Sequence, residues 1–232
     1  MIFPSKFYYN CCLNNRGGIV DFNKVYLIFQ NYFRPKRMRQ FVELFNLKDS
    51  DSILDVGGGI LNWNYISIRP KITIGNINIE DRDEERFSFR NIDGTNLPYK
   101  DDSFDIAFSN SVIEHVGDWD KQEQFAVEIQ RVAKNYYVQT PNKWFPIEPH
   151  FVSPLIHLLP RNIFRKLLPF LSLWYWVNRP SKQHVDKIFS QTKLLSESQM
   201  RELFPDAKII REKFLFFSKS IIAVRIITNK YD

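Results

Sequence analysis

The stretch Ser52-Ile53-Leu54-Asp55-Val56-Gly57-Gly58-Gly59 constrains this chain more than any other. A short apolar run reads as a buried strand, and it breaks at once into three consecutive glycines. Glycine has no Cβ, so the chain can turn sharply there and bring its backbone against a ligand. Asp55 stands at the carboxyl end of the strand, just before the turn. In an open α/β sheet, ligands bind outside the carboxyl ends of the strands. A carboxylate there can accept hydrogen bonds from a ligand amine or hydroxyl, directly or through water. A bare glycine run also suits a tight surface loop, so the neighbouring pattern has to decide. The dinucleotide fingerprint wants a third glycine three residues after Gly59, and this chain has Asn62 there.

The pattern that follows is that of alternating strands and helices. Residues 71–77 read as a second strand, and 60–70 leaves room for a short helix between the two, making a βαβ unit. Residues 87–91 alternate as a third strand, and 104–108 form a fourth that ends at Ser109-Asn110-Ser111. Residues 136–140, 208–211 and 220–226 supply three more, with 214–217 continuing or following the sixth. Helical spacing appears over 31–47, where Met38, Phe41, Val42, Leu44 and Phe45 share a face, and again over 122–133 and 197–204. The charged run 80–86 reads as a solvated loop or helix. Arg34, Lys36, Arg37 and Arg39 read as a solvated helix face.

With 232 residues and 44% hydrophobic composition, the chain can build one large core, and two domains would be cramped. A net charge of +6 permits an anionic partner, but the basic residues lack the clustering of a nucleic-acid binder, so none is expected. Cys11 and Cys12 are adjacent, which provides neither a disulfide framework nor metal-ligand spacing. A reducing, cytoplasmic compartment is therefore expected. No apolar stretch reaches the roughly 18 residues of a membrane span, and the N-terminus lacks the apolar core of a signal peptide.

The decisive second motif is Asp93-Gly94-Thr95-Asn96-Leu97-Pro98-Tyr99-Lys100-Asp101-Asp102-Ser103-Phe104-Asp105. Together with Asp55-Val56-Gly57-Gly58-Gly59, it resembles the class I S-adenosylmethionine (SAM)-dependent methyltransferases, in the methyltransferase type 11-like branch, over residues 35–228. That resemblance implies a three-layer α/β/α sandwich with a seven-stranded, mostly parallel Rossmann-like sheet. It implies a single domain over 1–232, with an extension at 1–34 and a helical acceptor-side insertion at 143–185, between strands five and six. It also implies S-adenosyl-L-methionine as cofactor. Gly57, Gly58 and Gly59 would turn beneath its methionine part, and Asp55 would anchor the amino group. Asp93 would meet the adenine amine, with Gly94 beside the ring, and Asn110 would face the sulfonium. As plain structure, Asp93-Gly94 is an ordinary turn pair. Two departures stand out. Leu61 replaces a further glycine, and the second strand ends in Asn76-Ile77-Asn78 where the family has an acid for the ribose hydroxyls. An amide offers one acceptor and one donor without charge assistance, and Glu80 is an alternative.

The expected chemistry is transfer of a methyl to a small-molecule, sugar or lipid-type acceptor, on oxygen and without a metal. A hydroxyl acceptor needs a base, and His115 and His150 are the candidates, with Glu114 and Glu148 weaker. His115 could equally be a helix-start residue bonded to backbone. The apolar runs at 154–179, with Arg161, Arg165, Lys166 and Arg179 and with Trp174 and Trp176, fit either a packed cap or a peripheral membrane contact on the inner face. Two alternatives belong to other classes: a nicotinamide-dependent oxidoreductase, and a non-catalytic binding or scaffold module that kept the fold.

Overall fold

The computed structural model describes residues 22–148, 151 and 153–227. Helix α1 (Phe22–Phe45) precedes β1 (Ser52–Val56), the glycine turn, α2 (Ile60–Trp63) and β2 (Lys71–Asn76). Then come β3 (Arg82–Asp83), β4 (Phe87–Asn91), β5 (Phe104–Asn110), the 3-10 turn η1 (Ile113–His115), α3 (Trp119–Val132) and β6 (Ala133–Pro141). A short pair follows, β7 (Ile147–Glu148) with β8 (Ser153–Pro154), and then the 3-10 turn η2 (Ile156–Leu158). Helices α4 (Arg161–Leu171), α5 (Leu173–Asn178) and α6 (Lys182–Gln191) build a cap. Helix α7 (Glu197–Leu203) leads to the hairpin β9 (Lys208–Phe214) and β10 (Phe217–Arg225).

The sheet runs β3-β4-β2-β1-β5-β6-β10-β9. Its centre is parallel, because each crossover passes over a face of the sheet, and the last hairpin is antiparallel. The expected seven-stranded, Rossmann-like sheet is thus present, with one more strand than expected. The extra strand is β3, in the run read as a solvated loop or helix. It pairs antiparallel with β4 because Arg82 lies over the Phe89 ring and Asp83 accepts from Arg90. Side chains two or more residues away create that strand, and a local pattern of charges cannot announce it.

Strand alternation divides the core into two layers. Ile53, Ile72, Phe108 and Tyr137 face α1 and α2, meeting Met38, Phe41 and Trp63. Leu54, Val56, Ala107 and Val138 face the other way, meeting Phe125, Ile129 and Val132 of α3 and Met200 and Leu203 of α7. Helix α1 docks through Phe33, Arg37, Met38 and Phe41, a stripe at helical spacing. The cap has a core of its own, built on Phe151, Ile156, Phe164, Leu168, Trp174, Val185 and Ile188. Much of the apolar content of 154–179 is therefore packing. The outer face of α4, with Ile163, Leu167, Phe170 and Leu171, stays exposed.

Candidate active site

The glycine turn sits at the carboxyl edge of the sheet, as its position after β1 dictates. Gly57 has φ of +74°, a conformation residues with a Cβ rarely adopt, and its N–H donates to the Gly75 carbonyl at 2.7 Å. A Cβ on Gly58 would stand 2.0 Å from the Asp55 carboxylate oxygens. The turn therefore lies directly on Asp55. That carboxylate is fully buried and points to the α1 side, where the Trp63 indole N–H donates to Oδ2 at 2.8 Å. Oδ1 has no hydrogen-bond partner. Burial pushes the Asp55 carboxyl up to about 7, against the Trp63 donor that favours the charged form. Asp55 thus sits under the loop rather than beside open space.

The remaining predicted cofactor residues gather around the same edge. Asn76 is buried at the end of β2. Its Nδ2 donates to the Gly58 carbonyl at 3.3 Å, and its Oδ1 accepts from the Ile77 N–H at 2.9 Å. Asn78 is exposed and left-handed, and Glu80 is exposed too, so of the three only Asn76 is buried at the end of the strand. Asp93 is exposed, and its Oδ1 accepts from the backbone N–H and hydroxyl of Thr95, which makes it a turn residue as well as an edge carboxylate. Gly94 is fitted tightly: a Cβ there would come within 2.7 Å of the Phe125 ring and 2.8 Å of Val56. Its missing side chain is demanded by the core, whatever else approaches. Asn110 ends β5 on the α1 side, where its Oδ1 accepts from Arg37.

Arg37 alone departs from the reading of its cluster as a solvated face, since Lys36 and Arg39 are exposed and Arg34 is half-buried. Arg37 is buried and bonds Glu212 twice, at 3.1 and 2.7 Å, and also the Gln139 side chain. Lys219 adds a second cation beside Glu212 at 3.1 Å. Burial raises the Glu212 carboxyl, but Arg37 and Lys219 outweigh it and hold the group below its ordinary range. The sequence carries no local sign of this, since Glu212 lies 175 residues from Arg37.

Two cavities open along the edge. The first, of only about 10 Å³, lies between the glycine turn and β2, lined by Val56, Gly57, Asn76, Ile77, Gly94 and Val112. The second is a cleft of about 380 Å³ between the start of α3 and the cap, lined by Trp119, Gln122, Lys143, Glu148, His157 and Lys193 among others. One short segment separates them, with Val112 on the first and Asp118 on the second. His115 closes η1 within that segment, half-buried, and lines neither cavity. Glu114 beside it is buried and accepts from the Thr140 hydroxyl at 3.0 Å. Glu148 is buried in the wall of the cleft and accepts from the Phe151 N–H at 2.6 Å. His150 lies outside the described residues. Reasoning from sequence passed over His157, Trp119 and the two cleft lysines. The sequence signs of the cleft were Glu148 and its place after β6.

The family model for a methyltransferase domain matches residues 70–136, the span from β2 into the first residues of β6. That span contains the strand-end asparagine, the Asp93-Gly94 turn and η1, while β1 and the glycine turn lie before it. The matched segment is that of a methyltransferase domain, and the sheet around it is Rossmann-like. Solved structures agree on the fold. A candidate exported protein from Bordetella parapertussis superposes with a TM-score of 0.57 at 12% identity, over 96% of this chain and 79% of its own. A candidate methyltransferase from Haloferax volcanii, solved with the Trm112 methyltransferase activator, gives 0.52 at 14% identity, over 84% and 94%. A candidate zinc-dependent alcohol dehydrogenase from Rhodobacter sphaeroides gives 0.51 at 9%, over 82% and 88%. No curated protein matches the sequence. At such identities the superpositions speak for architecture and leave chemistry to the site.

S-adenosyl-L-methionine is the cofactor of the class I methyltransferases, and the residues here can be tested against it. The left-handed Gly57, the bare backbone of the turn and an amide at the end of β2 suit a ligand that bends over a strand end. The slot as it stands is far smaller than the roughly 300 Å³ or more of a small-molecule site. Ile77 and Val112 are among the side chains that line it.

Proposed function

We propose that this methyltransferase fold transfers a methyl group to the oxygen of a small-molecule, sugar or lipid-type acceptor held in the cleft between α3 and the cap. The observation that carries this reading is the pairing of the two cavities at one sheet edge. One lies under the glycine turn, and the other lies a single short segment away, large enough for an acceptor. When bound, S-adenosyl-L-methionine supplies an electrophilic methyl. The protein's task is to position the acceptor and exclude water.

Gly57, Gly58, Asn76, Asp93 and Gly94 would hold the cofactor, while Asp55 acts from below by shaping the turn. Lys143 and Lys193 favour an acceptor with anionic or hydroxyl groups, and Trp119 and Phe189 give it an apolar wall. A hydroxyl acceptor must lose a proton, and His115 and His150 are the proposed bases. His157 is a third candidate. Its Nε2 faces the Lys143 carbonyl at 2.7 Å and so carries the proton, while Nδ1 is buried without a hydrogen-bond partner, so a role as base requires the ring to turn. The exposed face of α4 suits a lipid-type acceptor met at a membrane surface. No helix among the described residues is long and apolar enough to cross a membrane.

Asn76 favours a second reading, a non-catalytic binding module. Its amide is committed to Gly58 and Ile77, and it lacks the charge that grips ribose. Calorimetry with S-adenosylmethionine and S-adenosylhomocysteine separates the two. Binding followed by a one-methyl mass shift in lipid or sugar extracts supports the enzyme. Absence of binding to either compound supports the module.

A further inference from the structure

Residues at the tip of a two-residue β-hairpin are ordinarily Asn, Asp or Gly, because such turns need positive φ and face water. Here the tip between β9 and β10 is Leu215-Phe216. Leu215 has φ of +53°, which a side chain with a Cβ resists. Leu215 is 75% exposed and Phe216 95%, and the next residue, Phe217, is also exposed. Three large apolar side chains thus stand bare at the place where turn chemistry least favours them.

The tip is firmly held from below. Phe214 packs edge-on against Phe33 of α1, with ring centroids 5.9 Å apart, and the Lys219 ammonium lies 4.0 Å from the Phe33 centroid. The Asn142 side chain donates to the Ser218 carbonyl. Ser220 pairs with Pro141, the last residue of β6, so residues 214–217 project past the carboxyl edge of the sheet. That is the edge that carries both cavities. The cap leaves the sheet at the same point: Asn142 and Lys143 follow β6, and the Lys143 carbonyl binds His157 of η2.

The surrounding charge selects the partner. The only acid on the hairpin, Glu212, is neutralised by Arg37 and Lys219, while Lys213 is exposed beside the tip. Residues 151–191 of the cap hold six basic residues and one acid, Asp186, which Arg165 neutralises. The area also matters. Three such side chains cover at most about 600 Å², below the roughly 800 Å² per partner of a standard protein interface. A bilayer has no such minimum, since apolar tips insert and cations meet headgroups.

We infer that the Leu215-Phe216-Phe217 tip inserts into the surface of an anionic bilayer and presents the carboxyl edge of the sheet to the membrane. This rests on the membrane-side part of the proposed function, and adds an anchor outside the cap. The test is sedimentation of the full chain with phosphatidylcholine vesicles and with phosphatidylcholine–phosphatidylglycerol vesicles, at low and high salt. The paired variant L215N/F216G removes both apolar side chains and puts a residue that tolerates positive φ at 215, and thermal melting checks that it folds. A second variant, F170S/W176S, strips the cap instead.

The wild type should pellet with the anionic vesicles, less so at high salt, and L215N/F216G should lower partitioning roughly tenfold while folding normally. If L215N/F216G pellets like the wild type, the tip is not an anchor, and loss of binding in F170S/W176S alone then assigns the contact to the cap. If the wild type pellets with neither vesicle, the inference falls, while S-adenosylmethionine calorimetry still judges methyl transfer independently. If L215N/F216G changes the mass in sedimentation velocity and not vesicle binding, a second copy covers the tip and the inference also falls.

Discussion

The Trp63 indole N–H donates to Asp55 Oδ2 at 2.8 Å, and neither side chain is exposed to water. The bond joins the strand before the glycine turn to the short helix after it. It sets the turn from beneath, and it leaves Oδ1 of the same carboxylate without a hydrogen bond.

The first prediction is a pH dependence of stability. The Asp55 carboxyl has an ordinary value of 3.8 and is raised to about 7 in the fold. The folded state therefore holds a proton that the unfolded chain has released, and stability falls as pH rises from about 4 through about 7. The loss approaches 4 kcal/mol at most, from about three pH units at 1.36 kcal/mol each. Asp55→Asn should flatten that slope and match or exceed the wild type at pH 8. Urea midpoints at pH 5, 6, 7 and 8 measure it, and an unchanged slope in the variant would refute the assignment.

A second concerns the turn glycines. Gly58→Ala places a Cβ 2.0 Å from the Asp55 oxygens, so the turn must shift and stability should drop by several kcal/mol. Gly57→Val should remove cofactor binding in the folded fraction, because its side chain enters the slot at a left-handed position. A Gly57→Val protein that folds and binds S-adenosylmethionine like the parent would remove the slot from the cofactor site.

Arg37 supports a third. Arg37→Met leaves Glu212 buried with Lys219 as its remaining cation, and should cost about 3 kcal/mol. The double variant R37M/E212L should recover much of that loss, since it removes the stranded charge. Chemical denaturation of all three proteins reads the coupling, and additive losses would count against a buried pair.

The last concerns the base. His115→Ala or His150→Ala should lower turnover with S-adenosylmethionine affinity nearly intact, whereas Trp119→Ala should raise the KM for the acceptor first. Full activity in both histidine variants would shift attention to His157 or to positioning alone.

The local pattern determined a good deal of this protein. Period-two and period-3.6 spacing placed the strands and helices of an α/β sheet, because burial on one face leaves its mark within a few residues. The helix read over 31–47 belongs to the longer α1, and the five parallel strands of the core fall where they were expected. The glycine turn after β1 and the Asp93-Gly94 turn were legible too, since backbone geometry restricts which residues can stand there. Only the tertiary structure decided what those residues face. Asp55 turns down to Trp63, the Asn76 amide closes on Gly58, and Arg37 leaves solvent for Glu212. The β3 edge strand and the bare Leu215-Phe216 tip also lie outside the pattern. Each depends on a partner, or on the absence of one, set by how distant segments pack. Composition and spacing record the tendency of a stretch to be buried, and packing across the sheet selects the contacts.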